Sequence, residues 1–263
     1  MCTAFVSIDP GSAVPVLLLS VRDEYTDRRW LHPGRYWPDQ PDVVGGLDLD
    51  AGGTWLAVAP SSGLGVEPVA ACLLNGFGHT ADPHQRFSRG GLPLIAISGQ
   101  PIASDRLERY DPFHLLIARP SGVHVVSWNG SSVEDTELPA GLTVILNDGL
   151  EGQAGSGACP PHIRTTMNAR LAYFRARLQA VARPEPAAGP AEDAWGEWLP
   201  IARGDGLPPD NPAALIRRLE SPSGRVWGSV SLSMVALSHE HVRYDFGTVP
   251  DSDSSPRIVL VAV

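Results

Sequence analysis

The sequence contains no lysine: all 20 basic residues among its 263 are arginines. A phosphate-binding loop of the Walker type needs its lysine, and a pyridoxal phosphate enzyme needs a lysine for its Schiff base. Both classes are therefore excluded. The arginine bias is typical of a GC-rich genome, so we expect a bacterial protein.

Positive charge is also in short supply, and long apolar runs are missing. The chain has 29 acidic residues and a formal net charge of −9, which argues against a nucleic-acid partner. No apolar stretch reaches the roughly 18 residues of a spanning helix. The short run Val14–Leu19 lacks the charged flank of a signal peptide. These absences predict no membrane span and a cytoplasmic location.

Cysteine is sparse, with three residues at Cys2, Cys72 and Cys159. Their odd number and the lack of CxxC spacing predict reduced thiols, not a disulfide framework or a zinc site. His239 and His241 alternate on a predicted strand, but no third ligand accompanies them. We therefore expect no metal and no cofactor.

Glycine and proline are abundant, with 27 and 25 residues, and favour many strands and turns. A helical pattern covers Ile163–Arg183, where apolar residues recur every three or four positions. We expect the helical segment at about 160–201 to lie between strand-rich parts of a single domain, 1–263. This order predicts an α+β fold, or a layered α/β/β/α arrangement.

Cys2 directly follows the initiator methionine. Removal of Met1 would leave one residue carrying both a thiol, with an ordinary pKa of about 8.5, and an α-amine, with a pKa of about 7.7–8.0. A nucleophile activated by its own amine is the minimal equipment of an N-terminal nucleophile hydrolase. The alternative is a small residue that happens to occupy position 2.

A predicted hairpin brings two charged residues towards Cys2. The strands Cys2–Ile8 and Val14–Ser20 flank the turn sequence Asp9-Pro10-Gly11-Ser12. The end of the second strand therefore lies near the start of the first, and with it Arg22 and Asp23. The alternative is a charged strand end at the surface. Beyond it, 27–42 reads as a loop, and the glycines around Gly45-Gly46 as a turn before a strand at Thr54–Ala59.

At this point the residues resemble the NRDE family, the family of transport and Golgi organisation protein two. The likeness covers most of the chain, and its most specific element is Ala51-Gly52-Gly53-Thr54-Trp55-Leu56. The other matching segments are Met1-Cys2-Thr3, Leu17–Glu24, Trp37-Pro38-Asp39, Gly45-Gly46, Asp48-Leu49, Leu74-Asn75, Ser88-Arg89-Gly90 and Asn147 with Pro161. Val21 stands where the motif has asparagine, and the arginine expected near Trp227–Ser231 is missing.

The resemblance implies a four-layer α/β/β/α sandwich of two antiparallel sheets, similar to N-terminal nucleophile hydrolases with a first-residue cysteine. It assigns the nucleophile to Cys2, thiolate stabilisation to Arg22 and orientation of the amine to Asp23. Asn75 and Asn147 are the candidate oxyanion donors. Glu24, Arg89 and Trp55 are expected to bind substrate or to support these groups; for Arg89, the partner is either Asp23, a substrate carboxylate or a structural salt bridge.

Two functions follow from these expectations. The first is an acyl-transfer enzyme that works through a Cys2 acyl-enzyme, as an amide hydrolase or an acyltransferase on a small acyl or amide substrate. The alternative is a non-enzymatic protein that binds or transports haem or lipid, with Cys2 as a ligand, since a thiolate can ligate haem iron.

Overall fold

Alternating apolar residues and frequent turns fold most of the chain into strands. The computed structural model describes residues 2–61, 66–186, 188–221 and 224–249, and the backbone of residues 257–261. The strands are β1 (Thr3–Ile8), β2 (Val16–Tyr25), β3 (Trp30–Gly34), β4 (Val44–Asp48), β5 (Leu56–Ala59), β6 (Val69–Asn75), β7 (Phe113–Arg119), β8 (Gly122–Trp128), β9 (Val133–Glu137), β10 (Gly141–Leu146), β11 (Gly149–Leu150), β12 (Arg218–Glu220), β13 (Val226–Leu237), β14 (Val242–Thr248) and β15 (Arg257–Val261).

Helices are few among the described residues. They are α1 (Leu92–Ile97), α2 (Pro161–Gln179), α3 (Ala191–Trp195) and α4 (Trp198–Ala202), with 3₁₀ turns at Arg89–Gly91 and Ser104–Arg109. None of them is long and apolar enough to cross a membrane.

The strands form two antiparallel sheets. The first sheet has the order β11-β10-β1-β2-β13-β14-β15, with β12 paired to β13 as well, and the second runs β3-β4-β5-β6-β7-β8-β9. The long strand β13 pairs with β2, so a strand from the end of the chain closes the N-terminal hairpin on its other side. The fold class is thus α+β, with two stacked antiparallel sheets, as predicted.

Period-two burial on each strand explains the layers. Residues such as Ala4 and Leu18 face the second sheet and pack against Leu56 and Leu116, while the alternate positions face the opposite way. On that outer face, β1 and β2 pack against α2, α3 and α4. The outer face of the second sheet packs against α1. The order of layers is therefore helices, sheet, sheet, helix.

The predicted hairpin is present and its register fixes the position of Cys2. The Asp9 carboxylate accepts a hydrogen bond of 3.0 Å from Gly11 N, and Thr3 pairs with Val21 across β1 and β2. Continuing this register by one residue sets Cys2 opposite Arg22. Met1 lies outside the described residues.

Three sequence expectations about elements are corrected. Part of the supposed loop 27–42 is β3, an edge strand that tolerates Pro33 because one side of it is unpaired. The glycines of Gly45-Gly46 lie within strand β4 and not in a turn. Helix α2 ends at Gln179 and not at Arg183, because Arg183 leaves the helix to bond the turn between β1 and β2, including Val14 O at 2.7 Å.

Candidate active site around Cys2

A cleft of about 210 Å³ opens where several strands end at the same edge of the sandwich. Cys2 precedes β1 there, Arg22 and Glu24 lie in the last four residues of β2, and Asn75 ends β6. Its lining residues are Cys2, Arg22, Asp23, Glu24, Arg28, Asp48, Ala51, Thr54, Trp55, Leu73, Asn75, Arg86, Phe87, Ser88, Arg89, Gly90 and Asp111.

The thiol of Cys2 is half-buried at the cleft. Its Sγ donates a long hydrogen bond of 3.7 Å to the backbone carbonyl of Asp23. Burial raises the pKa of the Cys2 thiol, and the Asp23 carboxylate raises it further, whereas the Arg22 guanidinium lowers it. The thiol is therefore predominantly protonated at neutral pH, and a nucleophilic role requires a base.

Arg22 is a buried cation that faces the same cleft as Cys2. Its guanidinium lies 4.2 Å from the centroid of the Trp55 ring, and Nη2 donates to Asp48 Oδ2 at 3.4 Å. The Glu24 carboxylate is 4.0 Å from Nη2. The other terminal nitrogen, Nη1, is buried and has no hydrogen-bond partner among the described residues. Burial lowers the pKa of Arg22, although this group stays charged at any physiological pH.

Asp48 organises the cleft wall beside Arg22, and the sequence reading did not single it out as a site residue. Its carboxylate accepts hydrogen bonds of 2.6 and 3.1 Å from Arg28. It also accepts from the backbone N–H groups of Asp50 and Ala51, both at 3.0 Å. Asp48 thereby fixes the turn that leads to Trp55. Its place within the matching segment Asp48-Leu49 was the available signal.

Two glycine-rich segments touch directly and carry Arg89 to the cleft. A Cβ on Gly53 would lie 2.3 Å from the backbone of Gly90, and Thr54 N donates to Gly90 O at 2.8 Å. Gly46 is needed for another reason, since its Cβ would meet the Trp55 ring at 2.1 Å. The glycines of these motifs therefore serve close packing, not phosphate binding.

Arg89 and Arg86 enter the cleft from the loop before α1. Arg86 is paired with the Asp111 carboxylate at 3.0 Å. Arg89 donates from Nη1 to the carbonyl of Pro112 at 2.7 Å, and among the described residues no carboxylate lies within 4.0 Å of it. Burial lowers the pKa of Arg89. Of the three partners expected from the sequence, neither Asp23 nor a structural salt bridge is present.

Asp23 points to the opposite face of the sheet from Arg22. Its Oδ1 accepts 2.6 Å from the hydroxyl of Ser229, and its Oδ2 lies 3.5 Å from Nη1 of Arg170. Arg170, which is fully buried on α2, also donates to Thr3 Oγ1 at 2.8 Å and to Ala214 O at 2.8 and 3.1 Å. Arg170 thus joins helix α2 to both strands of the hairpin, and the sequence analysis did not single it out.

The two predicted asparagines occupy different positions. Asn75 is exposed at the mouth of the cleft. Asn147 is buried behind it and donates from Nδ2 to the backbone carbonyl of Asn75 at 2.5 Å. Its Oδ1 has no partner among the described residues. Asn147 therefore contributes by holding the end of β6, and seven of the eight predicted residues line the cleft itself.

Metal-binding geometry is not present among the described residues, where no group of three or more histidine, cysteine, aspartate or glutamate side chains could hold an ion. His239 and His241 lie in the turn between β13 and β14, not on one strand face as expected, and both are exposed. The three cysteines are free.

A family model described as Transport and Golgi organisation 2 matches residues 1–166. The chain belongs to this family. The matched segment contains Cys2 and every other residue singled out from the sequence as a site residue, whereas Arg170 and Ser229, which hold Asp23, lie beyond its end. The predicted resemblance is confirmed. A search of curated proteins finds no significant match.

Proposed function

We propose that the protein is an acyl-transfer enzyme that forms a covalent acyl-enzyme on Cys2. One observation carries this proposal: the Cys2 thiol faces a cleft whose walls also present the buried Arg22 guanidinium and the exposed amide of Asn75. Nucleophile, cation and donor in one concave site are the elements of acyl transfer.

The Cys2 thiol requires a base, because burial raises the pKa of the thiol. After removal of Met1, the α-amine of Cys2 would take the thiol proton. The thiolate attacks the carbonyl carbon of an amide, and the amine returns the proton to the departing nitrogen. A thioester to Cys2 and a free amine result. Water then yields the carboxylic acid, or a second amine yields a new amide.

Oxyanion stabilisation is assigned to the side-chain amide of Asn75, which has no hydrogen-bond partner among the described residues and can donate into the cleft. Asn147 would hold Asn75 in position through its carbonyl. Arg22 favours the thiolate by its charge. Asp23 anchors the strand ends through Ser229 and Arg170, and its backbone carbonyl orients the thiol.

A small substrate suits this cleft better than a cofactor does. At about 210 Å³ it is smaller than the ~300–1,000 Å³ of pockets for drug-sized ligands. Seven charged side chains line it: Arg22, Glu24, Arg28, Asp48, Arg86, Arg89 and Asp111. A haem macrocycle is large and mainly apolar, and these residues do not fit it.

We further infer one domain over 1–263 in the cytoplasm of a bacterium.

Mass spectrometry tests the acyl-enzyme directly. Intact mass should show loss of Met1, and an electrophilic acyl probe should add once, at Cys2 and not at Cys72 or Cys159. Cys2→Ala is the matched control and should not add the probe. A retained methionine would refute the amine as base. Probe labelling that spares Cys2 would refute covalent catalysis.

The second candidate is a binding or transport role, which the name of the family suggests. The raised pKa of the Cys2 thiol does not separate the two candidates, because the thiolate is both the nucleophile and the metal ligand. Titration with haem, followed at the Soret band, separates the two candidates. A stoichiometric shift that Cys2→Ala abolishes would favour transport, and an unchanged spectrum would count against it.

A further inference from the structure

We propose that the cleft binds a carboxylate of its substrate between Arg22 and Arg89, next to the Cys2 thiol. The substrate class would then be a small acyl or amide compound that carries a negative charge close to its reacting carbonyl. That the bound anion is part of a substrate rests on the proposed function, whereas the binding of an anion in the cleft does not.

Arg22 has a donor that no described residue uses. The residue is only 6% exposed, it lines the cleft, and its Nη1 is buried without a hydrogen-bond partner among the described residues. A buried N–H of a charged group that is left unpaired is destabilising by more than a neutral one. A carboxylate oxygen in the cleft would satisfy it with a charge-assisted hydrogen bond.

Arg89 approaches the cleft from the loop before α1 and has donors to spare. Its guanidinium has five N–H donors. One of them, on Nη1, is used in the hydrogen bond to the carbonyl of Pro112. No carboxylate neutralises it within 4.0 Å among the described residues. The other cleft arginines differ, since Arg28 is held by Asp48 and Arg86 by Asp111.

The charges that face the cleft do not cancel. Its carboxylates are Glu24, Asp48 and Asp111, and its arginines are Arg22, Arg28, Arg86 and Arg89. The Asp23 carboxylate faces away from the cleft and is neutralised there by the buried Arg170. The cluster therefore carries one positive charge in excess, within a chain of formal charge −9. A monoanion such as a carboxylate matches this excess.

The positive charge in excess lies close to the Cys2 sulfur. A charged Cys2 is among the groups that raise the pKa of Arg22 and of Arg89, in both cases against the lowering effect of burial. The sulfur is thus within the electrostatic reach of both guanidinium groups. An anion held by them lies beside the thiol, where it sets the position of the reacting carbonyl.

Alkylation with two matched reagents tests this site. Iodoacetate and iodoacetamide both transfer a two-carbon group to a thiolate with loss of iodide, but only iodoacetate carries a carboxylate. For the thiols of the urea-unfolded chain, the neutral reagent should be the faster one, because thiolate and carboxylate repel each other. At Cys2 of the folded protein, the rate ratio of iodoacetate to iodoacetamide should rise at least about tenfold above that reference.

Two variants assign the effect to Arg89. Arg89→Gln should return the ratio to within about twofold of the unfolded reference, and Arg89→Lys should keep most of it, since the charge remains. Arg29→Gln is the control: it removes the same charge from an exposed arginine that is paired with Asp50 and is not part of the cleft lining. Equal losses in Arg89→Gln and Arg29→Gln, or no rise in the folded wild type, would overturn the proposal.

A second measurement covers a Cys2 that reacts with neither reagent. Protein labelled with ¹⁵N-arginine is titrated with acetate and, separately, with acetamide. Only acetate should shift the guanidinium signal that Arg89→Lys removes, and the absence of such a shift would overturn the site. A raised rate ratio without any acyl probe adduct would support the anion site and contradict the proposed acyl-transfer function. An adduct without a raised ratio would support the acyl-transfer function and overturn the anion site.

Discussion

Two buried arginines lie on either side of the same pair of strands, and their surroundings differ. Arg170 reaches the outer face of β1 and β2 from α2, and it bonds Thr3, Asp23 and the carbonyl of Ala214. Arg22 belongs to the inner face, stacks on Trp55, and keeps a buried N–H without a partner among the described residues. The first arrangement is that of a structural cation, whereas the second leaves a donor for a ligand.

The difference follows from the alternation of a strand. Successive side chains of β2 point to opposite faces, so Arg22 enters the cleft and Asp23 enters the helix-facing layer. A charge in the closed outer layer needs full compensation, because breaking a buried pair is strongly destabilising. On the cleft side, Nη1 of Arg22 is buried without such compensation among the described residues, and a ligand in the cleft would supply it.

The largest effect should come from Arg170→Met. Loss of this guanidinium removes the neutralising charge from the buried Asp23 and should lower the free energy of unfolding by about 3–5 kcal/mol, measured by urea denaturation. Arg177→Met is the control on the same helix, since it breaks a more exposed pair with Asp205 and should cost less than about 1 kcal/mol. Equal losses of unfolding free energy in the two variants would mean that the buried pair of Arg170 and Asp23 does not stabilise the fold more than an exposed pair does.

The next effect separates the two asparagines. Asn75→Ala should reduce the rate of acyl-enzyme formation by about 10²–10³, as for loss of an oxyanion donor, with little change in unfolding because the side chain is exposed. Asn147→Ala removes a buried donor and should mainly lower stability, by about 1–2 kcal/mol. Stopped-flow acylation and thermal unfolding measure the two quantities. The reverse assignment of losses would contradict the geometry.

Much of this arrangement could be read from the sequence, because local patterns determine it. The turn Asp9–Ser12 predicts the hairpin, and the register of the hairpin sets Cys2 opposite Arg22. The edge strand β3 could not be predicted in the same way, since it is short, partly exposed and contains Pro33. Its pairing with β4 depends on the whole second sheet.

The site divides along the same line. Cys2 and Arg22 were found because one hairpin brings them together, while Arg170 acts from far along the chain. A signal for it was present: Arg170 lies three residues after Met167 and four before Phe174, on the buried stripe of α2. An arginine at a core position indicates a buried partner. No local pattern could show that this partner is Asp23, since the contact spans 147 residues.

A third effect compares the two arginines directly. Arg22→Met should lower the free energy of unfolding by only about 1–2 kcal/mol, from the lost stacking on Trp55 and one long hydrogen bond. The loss is smaller than for Arg170→Met because Asp48 keeps Arg28 as its partner. Urea denaturation of both variants in one buffer provides the comparison. A larger loss for Arg22→Met would show that its role is structural.

The smallest effect concerns the pH dependence of Cys2. Burial raises the pKa of this thiol and Arg22 lowers it, so Arg22→Met should move the rise of its iodoacetamide alkylation rate to higher pH. Arg28→Met is the control and should leave the pH dependence of the alkylation rate unchanged. Arg28 is paired with Asp48, which separates it from Arg22, the cation that acts on the Cys2 thiol. Cys72 serves as an internal reference: burial raises its pKa to about 12, so the rise of its alkylation rate should come at high pH in the wild type and in both variants.

The same shifts predict how stability changes in alkali. A thiol whose pKa is raised by folding stabilises the protein in full below the pKa of the unfolded thiol, about 8.5, and this contribution falls as the pH rises towards the folded value. For Cys72 the window runs from about 8.5 to about 12. Cys72→Ala should therefore flatten the loss of unfolding free energy over this window. A wild-type curve that is already flat there would show that the Cys72 thiol ionises as readily in the folded chain as in the unfolded one.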